Sequence, residues 1–331
     1  MFTEAIEKIL TDLCTPALVR AVESGGDAAR VWRALEDGGF LELLTPEEAD
    51  GAGLSLAALF PICLAFGRHA LPVPAAQSIA ARALLRDCPH VPPAGMLTLA
   101  GTAYRQADGV FCAPRVAFGL LADVALVNLD GDMLLLDCSV ARRQPVGVNA
   151  SQCATLYWPA QAVGAAVGKN GEAVRRFSAA IHAASMAGAM ERVLDMTLEY
   201  CNDRVQFGKA IGKFQAVQHQ LSVMAEQVAA SRIAAQLAFA GDAQVPQLIA
   251  AAIAKARTSM AVPQVTATAH ALFGAIGVTE ELDLQLFTRR LHEWRISEGS
   301  EHYWNGIVGQ VFLALPDACA SEFARASSHI A

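Results

Sequence analysis

The sequence predicts a mainly α-helical chain with a small β middle domain, divided into residues 1–95, 96–166 and 167–331. Three observations predict it. Apolar residues recur at helical spacing before and after the middle segment. Between residues 96 and 137 the pattern changes to short β-prone runs. Hydrophobic residues make up 54% of the chain and charged residues only 17%, the balance of closely packed helices with large subunit contacts.

In the first segment Val31, Leu35, Phe40, Leu43 and Leu44 lie near helical spacing. Thr45-Pro46-Glu47-Glu48 reads as a helix start: a cap, a proline in the first turn and two acids at the positive end of the dipole. Gly51 and Gly53 break the pattern, and residues 54–66 form another apolar helix that residues 67–74 end. In the middle segment, residues 96–99, 110–113, 124–128 and 133–137 read as strands. Leu129-Asp130-Gly131-Asp132 between the last two is a hairpin turn. From about Gly168 the chain reads as helical to the end. Ala187, Met190, Leu194, Leu198, Cys201 and Val205 form one buried stripe, and Val217, Leu221, Met224 and Val228 form a second. Alanine-rich residues 229–240 and 249–260 suit an antiparallel four-helix bundle.

The net charge of −7 argues against a nucleic-acid surface. The eight cysteines are scattered without a CxxC pair, and the eight histidines show no ligand spacing. No metal site is expected, and the cysteines read as small core residues in a reducing cytoplasm. No uninterrupted apolar run reaches the roughly 18 residues of a spanning helix. Residues 245–261 come closest, interrupted by Gln247, Lys255 and Arg257. Residues 1–10 lack a signal-peptide pattern, so no membrane partner is expected.

The stretch that carries most chemistry is residues 200–218, YCNDRVQFGKAIGKFQAVQ. Arg204, Gln206 and Phe207 read as a cation, an amide and an aromatic ring within one helical turn, which Gly208 ends as a left-handed cap. Phe214, Gln215 and Gln218 follow on the next element. Arginine for a phosphate, phenylalanine for stacking and glutamine for a base edge suit a flat, charged ligand. An ordinary helix-to-helix corner with solvated polar residues is the alternative.

The stretch resembles the RxQFGxxIxxFQxxQ signature of the acyl-CoA dehydrogenase family. That resemblance implies binding of the pyrophosphate and adenine half of FAD, held mainly by a neighbouring subunit. Residues 32–56 resemble the family's amino-terminal helical domain, with its PEExGGxGLS loop. The family's plan is a helical domain, a middle β-barrel, here reduced, and a four-helix bundle. Residues 271–309 resemble its QxxGGxGFTxE…RR…EG(T/S) segment. Gly274 and Gly277 are kept, Ala271 and Ala275 replace an expected Gln and Gly, and Ser300 follows the EG pair. By the same resemblance Glu298 falls at the catalytic base, which removes the α-proton of an acyl-CoA thioester while the β-hydride leaves to the flavin. The acid and arginine that relatives present beside the thioester do not map securely onto residues 175–179.

Neither the TEPxxGSD-like loop nor the WITN-like strand that holds the flavin ring in the family is recognisable in residues 96–166. The expectation is therefore a shortened subunit, similar to those of bacterial α2β2 enzymes acting on steroid side-chain CoA thioesters. Its FAD ring would sit in a full-length partner, with an electron acceptor such as an electron-transfer flavoprotein. A complete homo-oligomeric enzyme with Glu298 as base and a catalytically silent subunit are the alternatives. Arg289, Arg290 and Arg295 are candidates for CoA or flavin phosphates, or else ordinary carboxylate partners.

Overall fold

The computed structural model describes residues 2–86, 88, 93–315 and 319–328. Five helices come first: α1 (Phe2–Leu13), α2 (Pro16–Glu23), α3 (Ala29–Asp37), α4 (Leu56–Arg68) and α5 (Ala75–Leu85). Local sequence sets their starts. The Thr15 side chain accepts from Leu18 N–H with Pro16 in the first turn of α2, and Ser55 accepts from Ala58 N–H at the start of α4. The start expected at Thr45 propagates for only one 3₁₀ turn, Glu47–Ala49. Asp50 then turns left-handed at φ 59, and Thr45 Oγ1 donates to Glu42 instead of capping the turn.

The strands are β1 (Leu97–Ala100), β2 (Tyr104–Arg105), β3 (Phe111–Val116), β4 (Val124–Leu129), β5 (Asp132–Asp137), β6 (Arg142–Pro145) and β7 (Ala154–Trp158). The expected hairpin joins β4 to β5, with Asp130 and Gly131 at φ 52 and 88, the geometry of a type I′ turn. These strands do not close a reduced barrel. They form two open sheets, ordered β1-β4-β5 and β2-β3-β7-β6, and no ladder bonds one sheet to the other among the described residues. A core of their own includes Phe111, Leu134, Leu156 and Trp158.

The remaining elements are α6 (Gly171–Asp203), β8 (Val205–Gln206), β9 (Lys209–Ala210), α7 (Gln215–Leu237), α8 (Leu248–Phe273), α9 (Leu284–Ile296), α10 (Glu301–Leu313) and α11 (Ala320–Ser328). The helix α6 is the axis and packs on α4, α7, α8 and α9. A hydrophobic core continuous with α1–α5 runs along it. Where α4 crosses α6, a Cβ on Gly67 would lie 2.0 Å from Ser185 O, and one on Gly188 would lie 1.9 Å from Leu64 O. Only glycine permits this approach. The first expected stripe holds for Ala187, Met190 and Cys201, which are buried, but Leu198 and Val205 are exposed. The helix ends at Asp203, so Val205 lies beyond its period. Contrary to the sequence reading, the span Leu248–Val278 around α8 is long and apolar enough to cross a membrane by length and composition. Its packing on α6, α7, α9 and α10 accounts for the apolarity in a bundle centre.

Candidate active site

Two sets of candidate residues lie at opposite ends of α6. At its start is Glu298, in the turn between α9 and α10. Glu298 adopts φ +54, a left-handed conformation uncommon for a residue with a Cβ, and Gly299 follows at φ +95. The turn is pinned by donors from two helices. Trp304 Nε1–H donates to Glu298 O at 2.9 Å. Lys255 Nζ, on α8, donates to Arg295 O at 3.0 Å and to Gly299 O at 2.9 Å.

The carboxylate faces the end of β1. Gly101 N–H donates to Glu298 Oε1 at 3.1 Å. A Cβ on Gly101 would lie 2.5 Å from Glu298 Oε2 and 2.9 Å from Arg175 Cα, so the position requires glycine. Arg175 Nε and Asn128 Nδ2 both donate to Gly101 O at 3.1 Å, holding that peptide in place. Burial pushes the Glu298 carboxyl up to about 6; the Gly101 N–H, Arg175, Lys255 and the Ser178 hydroxyl pull it down. A carboxylate near 6 is suited to take a proton at neutral pH.

The sequence reading missed Glu172, Arg175 and Lys255. Glu172 and Arg175 form an i,i+3 ion pair at 3.5 Å, and Arg175 Nη1 reaches Tyr303 Oη at 3.0 Å. Residues 175–179 contain the arginine but not its acid, which lies one turn earlier at Glu172; the signal is the ExxR spacing on the first turns of α6. The three other arginines are engaged in ion pairs. Arg289 and Arg290 both meet Glu23 at 2.9 Å, and Arg295 pairs with Glu301.

At the other end, residues 204–210 correct the helical-turn reading: they form a β-hairpin. Val205 pairs with Ala210 and Gln206 with Lys209 across Phe207 and Gly208, at φ 51 and 80. Gly208 thus serves a two-residue type I′ turn, not a helix cap. Phe207 is 92% exposed at the tip, edge-on to the half-buried Phe214 at 6.3 Å. Lys209 Nζ sits 4.3 Å from the Phe214 ring centroid. Gln215 is exposed, and Gln218 Nε2 donates to Gly212 O at 3.1 Å. The end of α6 that leads into the hairpin lies beside the second glycine segment, where the Tyr200 ring meets Phe273 at 4.4 Å, next to Gly274. Gly274 takes φ +66 with open space where a Cβ would stand, whereas Gly277 is buried. Ser300 is half-buried at the start of α10, in the Glu298 group and not with the glycines. About 39 Å of helix separates Ser178 from Arg204 at 1.5 Å per residue.

A cleft of 740 Å³ opens between residues 44–56, the end of α5, the start of α6 and residues 242–245. Its walls include Leu54, Leu84, Met133 and Phe177, but neither Glu298 nor the hairpin. No group of metal-ligating side chains occurs among the described residues.

Helices around open sheets, with a buried carboxylate between sheet and bundle, define a helical-bundle protein with a candidate proton-transfer site. Comparison with known proteins gives the family. The family described as "Acyl-CoA dehydrogenase, C-terminal domain" matches residues 175–313. The acyl-CoA dehydrogenase IpdE2 of Mycolicibacterium smegmatis is 30% identical over 297 residues, covering 88% of this chain and 91% of that protein. Its Mycobacterium tuberculosis counterpart is 31% identical, covering 88% and 90%. Among solved structures, the ChsE4-ChsE5 complex from Mycobacterium tuberculosis matches with a TM-score of 0.83 at 20% identity, covering 95% of this chain and 96% of that one. The Tcur3481-Tcur3483 steroid ACAD variant matches at 0.79 and 24%, covering 94% and 96%. The chain belongs to the acyl-CoA dehydrogenase family, and is an oxidoreductase of that class.

The family implies FAD, and the chain fits it unevenly. At the hairpin, the side chains of Arg204, Gln206 and Gln215 have no hydrogen-bond partner among the described residues, Phe207 is exposed and Gly274 leaves open space. This donor set fits a nucleotide tail. Beside Glu298, the backbone of Gly101 fills the space against the carboxylate, and the residues present there do not fit a flavin ring.

Proposed function

We propose that this chain is the shortened subunit of a heteromeric, FAD-dependent acyl-CoA dehydrogenase that introduces an α,β double bond into an acyl-CoA thioester. Bound FAD supplies the hydride acceptor. The chain lends Arg204, Gln206, Phe207, Gln215 and Gln218, with Gly274 and Gly277 behind them, to the pyrophosphate and adenine half of a FAD whose ring lies in a full-length partner. The observation that carries this reading is the separation of the two half-sites: an exposed hairpin with unpartnered side chains lies about 39 Å along α6 from the candidate base Glu298. A steroid-derived acyl group is supported by the steroid ACAD among the structural neighbours, and an electron-transfer flavoprotein is the acceptor the family implies. Glu298 takes the α-proton only where the partner brings a flavin ring to that end of α6 and completes the pocket, and acyl-CoA binding then displaces its contact with Gly101 N–H.

A catalytically silent subunit is the second reading, favoured by one observation, the seal of Gly101 over the carboxylate. Co-expression with a full-length dehydrogenase partner, followed by flavin per chain and native mass for each protein and the pair, tests the first reading. Flavin is expected in the pair and not in this chain alone; FAD saturating the isolated chain would overturn it. Glu298→Gln in the assembled pair tests the base alone, and unchanged turnover would remove that role; Arg204→Ala, read as FAD content, then separates a cofactor-lending subunit from a silent one.

A further inference from the structure

Lys255 is fully buried in α8 among alanines, and neither motif accounts for it. Its ammonium has three acceptors: Ser259 Oγ at 3.2 Å, Arg295 O at 3.0 Å and Gly299 O at 2.9 Å. The two carbonyls bracket Glu298, one in the last turn of α9 and one immediately after it. Ser259 Oγ–H also donates to Arg295 O at 3.2 Å, so one turn of α8 holds both sides of the turn. A left-handed non-glycine residue persists only where its surroundings over-determine it, and here those surroundings are Lys255, Ser259 and Trp304. A buried ammonium needs a compensating reason to stay.

We propose that Lys255 is a positioning residue for Glu298: its ammonium fixes the left-handed turn that aims the carboxylate at β1 and holds that carboxylate in its ionised form. The catalytic half of this proposal rests on the reading of Glu298 as the base. Four charged or titratable groups face the ammonium: Glu298 from the turn, Glu301 from α10, Arg295 from α9 and His182 from α6. Burial lowers the lysine to about 7, with Glu298 and Glu301 opposing. The three acceptors around Nζ and the two facing carboxylates favour its charged form. Removing the charge raises the carboxyl further, because an opposite charge stabilises the anion. Burial and the Lys255 charge hold His182 neutral, down at about 4, so it supplies no competing cation.

The test uses the assembled pair carrying Lys255→Met or Lys255→Gln, the glutamine keeping N–H donors without charge. The Glu298 carboxylate is titrated by infrared spectroscopy, its band assigned by loss in Glu298→Gln. Both lysine variants are expected to raise its midpoint by about one unit. Lys255→Met is expected to lower kcat about 10²-fold with KM little changed, as misplacement of a reacting group does. FAD content, set at the far end of α6, should stay at the wild-type level. An unmoved carboxylate midpoint with unchanged kcat overturns the proposal. Glu298→Gln with full turnover overturns instead the base reading, and the infrared midpoint still decides whether Lys255 holds the carboxylate. Should neither lysine variant assemble, Ser259→Ala carries the test: a raised midpoint supports the proposal and an unmoved one overturns it.

Discussion

Glu298 shows how one residue is set by its surroundings. Burial lifts its folded pKa to about 6, above the unfolded value near 4.5. Ionising it therefore costs stability: the contribution of this group is full below pH 4.5, and about 2 kcal/mol of it is lost as pH rises through 6. Two outcomes follow. The acidic limb of the kcat/KM profile of the assembled enzyme should fall near pH 6, with the deprotonated form active. Glu298→Gln should abolish turnover and raise unfolding free energy by up to about 2 kcal/mol at pH 7, the gain vanishing at pH 4, as urea titrations at the two pH values would show. Arg290 presents the opposite case. With its side chain 11% exposed, it shares Glu23 with Arg289 and ties α2 to α9. Glu23→Ala leaves a buried guanidinium unpaired and should cost about 3–5 kcal/mol, read as a lower denaturation midpoint with an unchanged slope.

Among the elements, the hairpin β8–β9 is held by very little. It has two residue pairs and a turn in which Phe207 already accepts a positive φ. Gly208→Val places a β-branched residue where φ is 80, which costs about 1–3 kcal/mol locally. Far-ultraviolet circular dichroism should stay near wild type, because α6 and α7 do not depend on the turn, while FAD retained by the assembled pair should drop. Arg204→Ala should drop FAD without opening the hairpin, since only the backbone of Arg204 bonds within it. Equal FAD occupancy in both variants would remove the hairpin from the cofactor site. The α4–α6 crossing is a different matter. Gly188→Ala drives a methyl into Leu64 O and should destabilise the fold by about 1–3 kcal/mol, visible as a lower melting temperature of the chain.

At the scale of the whole molecule, α6 spans the distance between the two half-sites. A helix of 33 residues keeps the candidate base end and the hairpin end apart, so in the proposed assembly a single flavin does not use both within one chain. The open sheets agree with this: two short sheets and a β1 end packed on Glu298 leave no ring cradle inside the chain.

Local pattern determined most helices of this protein, the strands β1, β3, β4 and β5, the Asp130-Gly131 hairpin and the family signatures around Arg204 and Glu298, but not β6 and β7. Those features live within a few residues of one another, where spacing and backbone preference carry the information. Residues 204–207 read as a helical turn because their neighbours on both sides are helical; two consecutive positive φ angles, at Phe207 and Gly208, belong to the hairpin. Only the tertiary structure decided that Glu172 and Arg175, Gly101, Lys255 and Glu298 meet. They come from α6, the end of β1, α8 and the α9–α10 turn, and no spacing along the chain encodes a contact between elements up to 197 positions apart. Burial then did what sequence could not, pushing the carboxyl of an ordinary glutamate up to about 6.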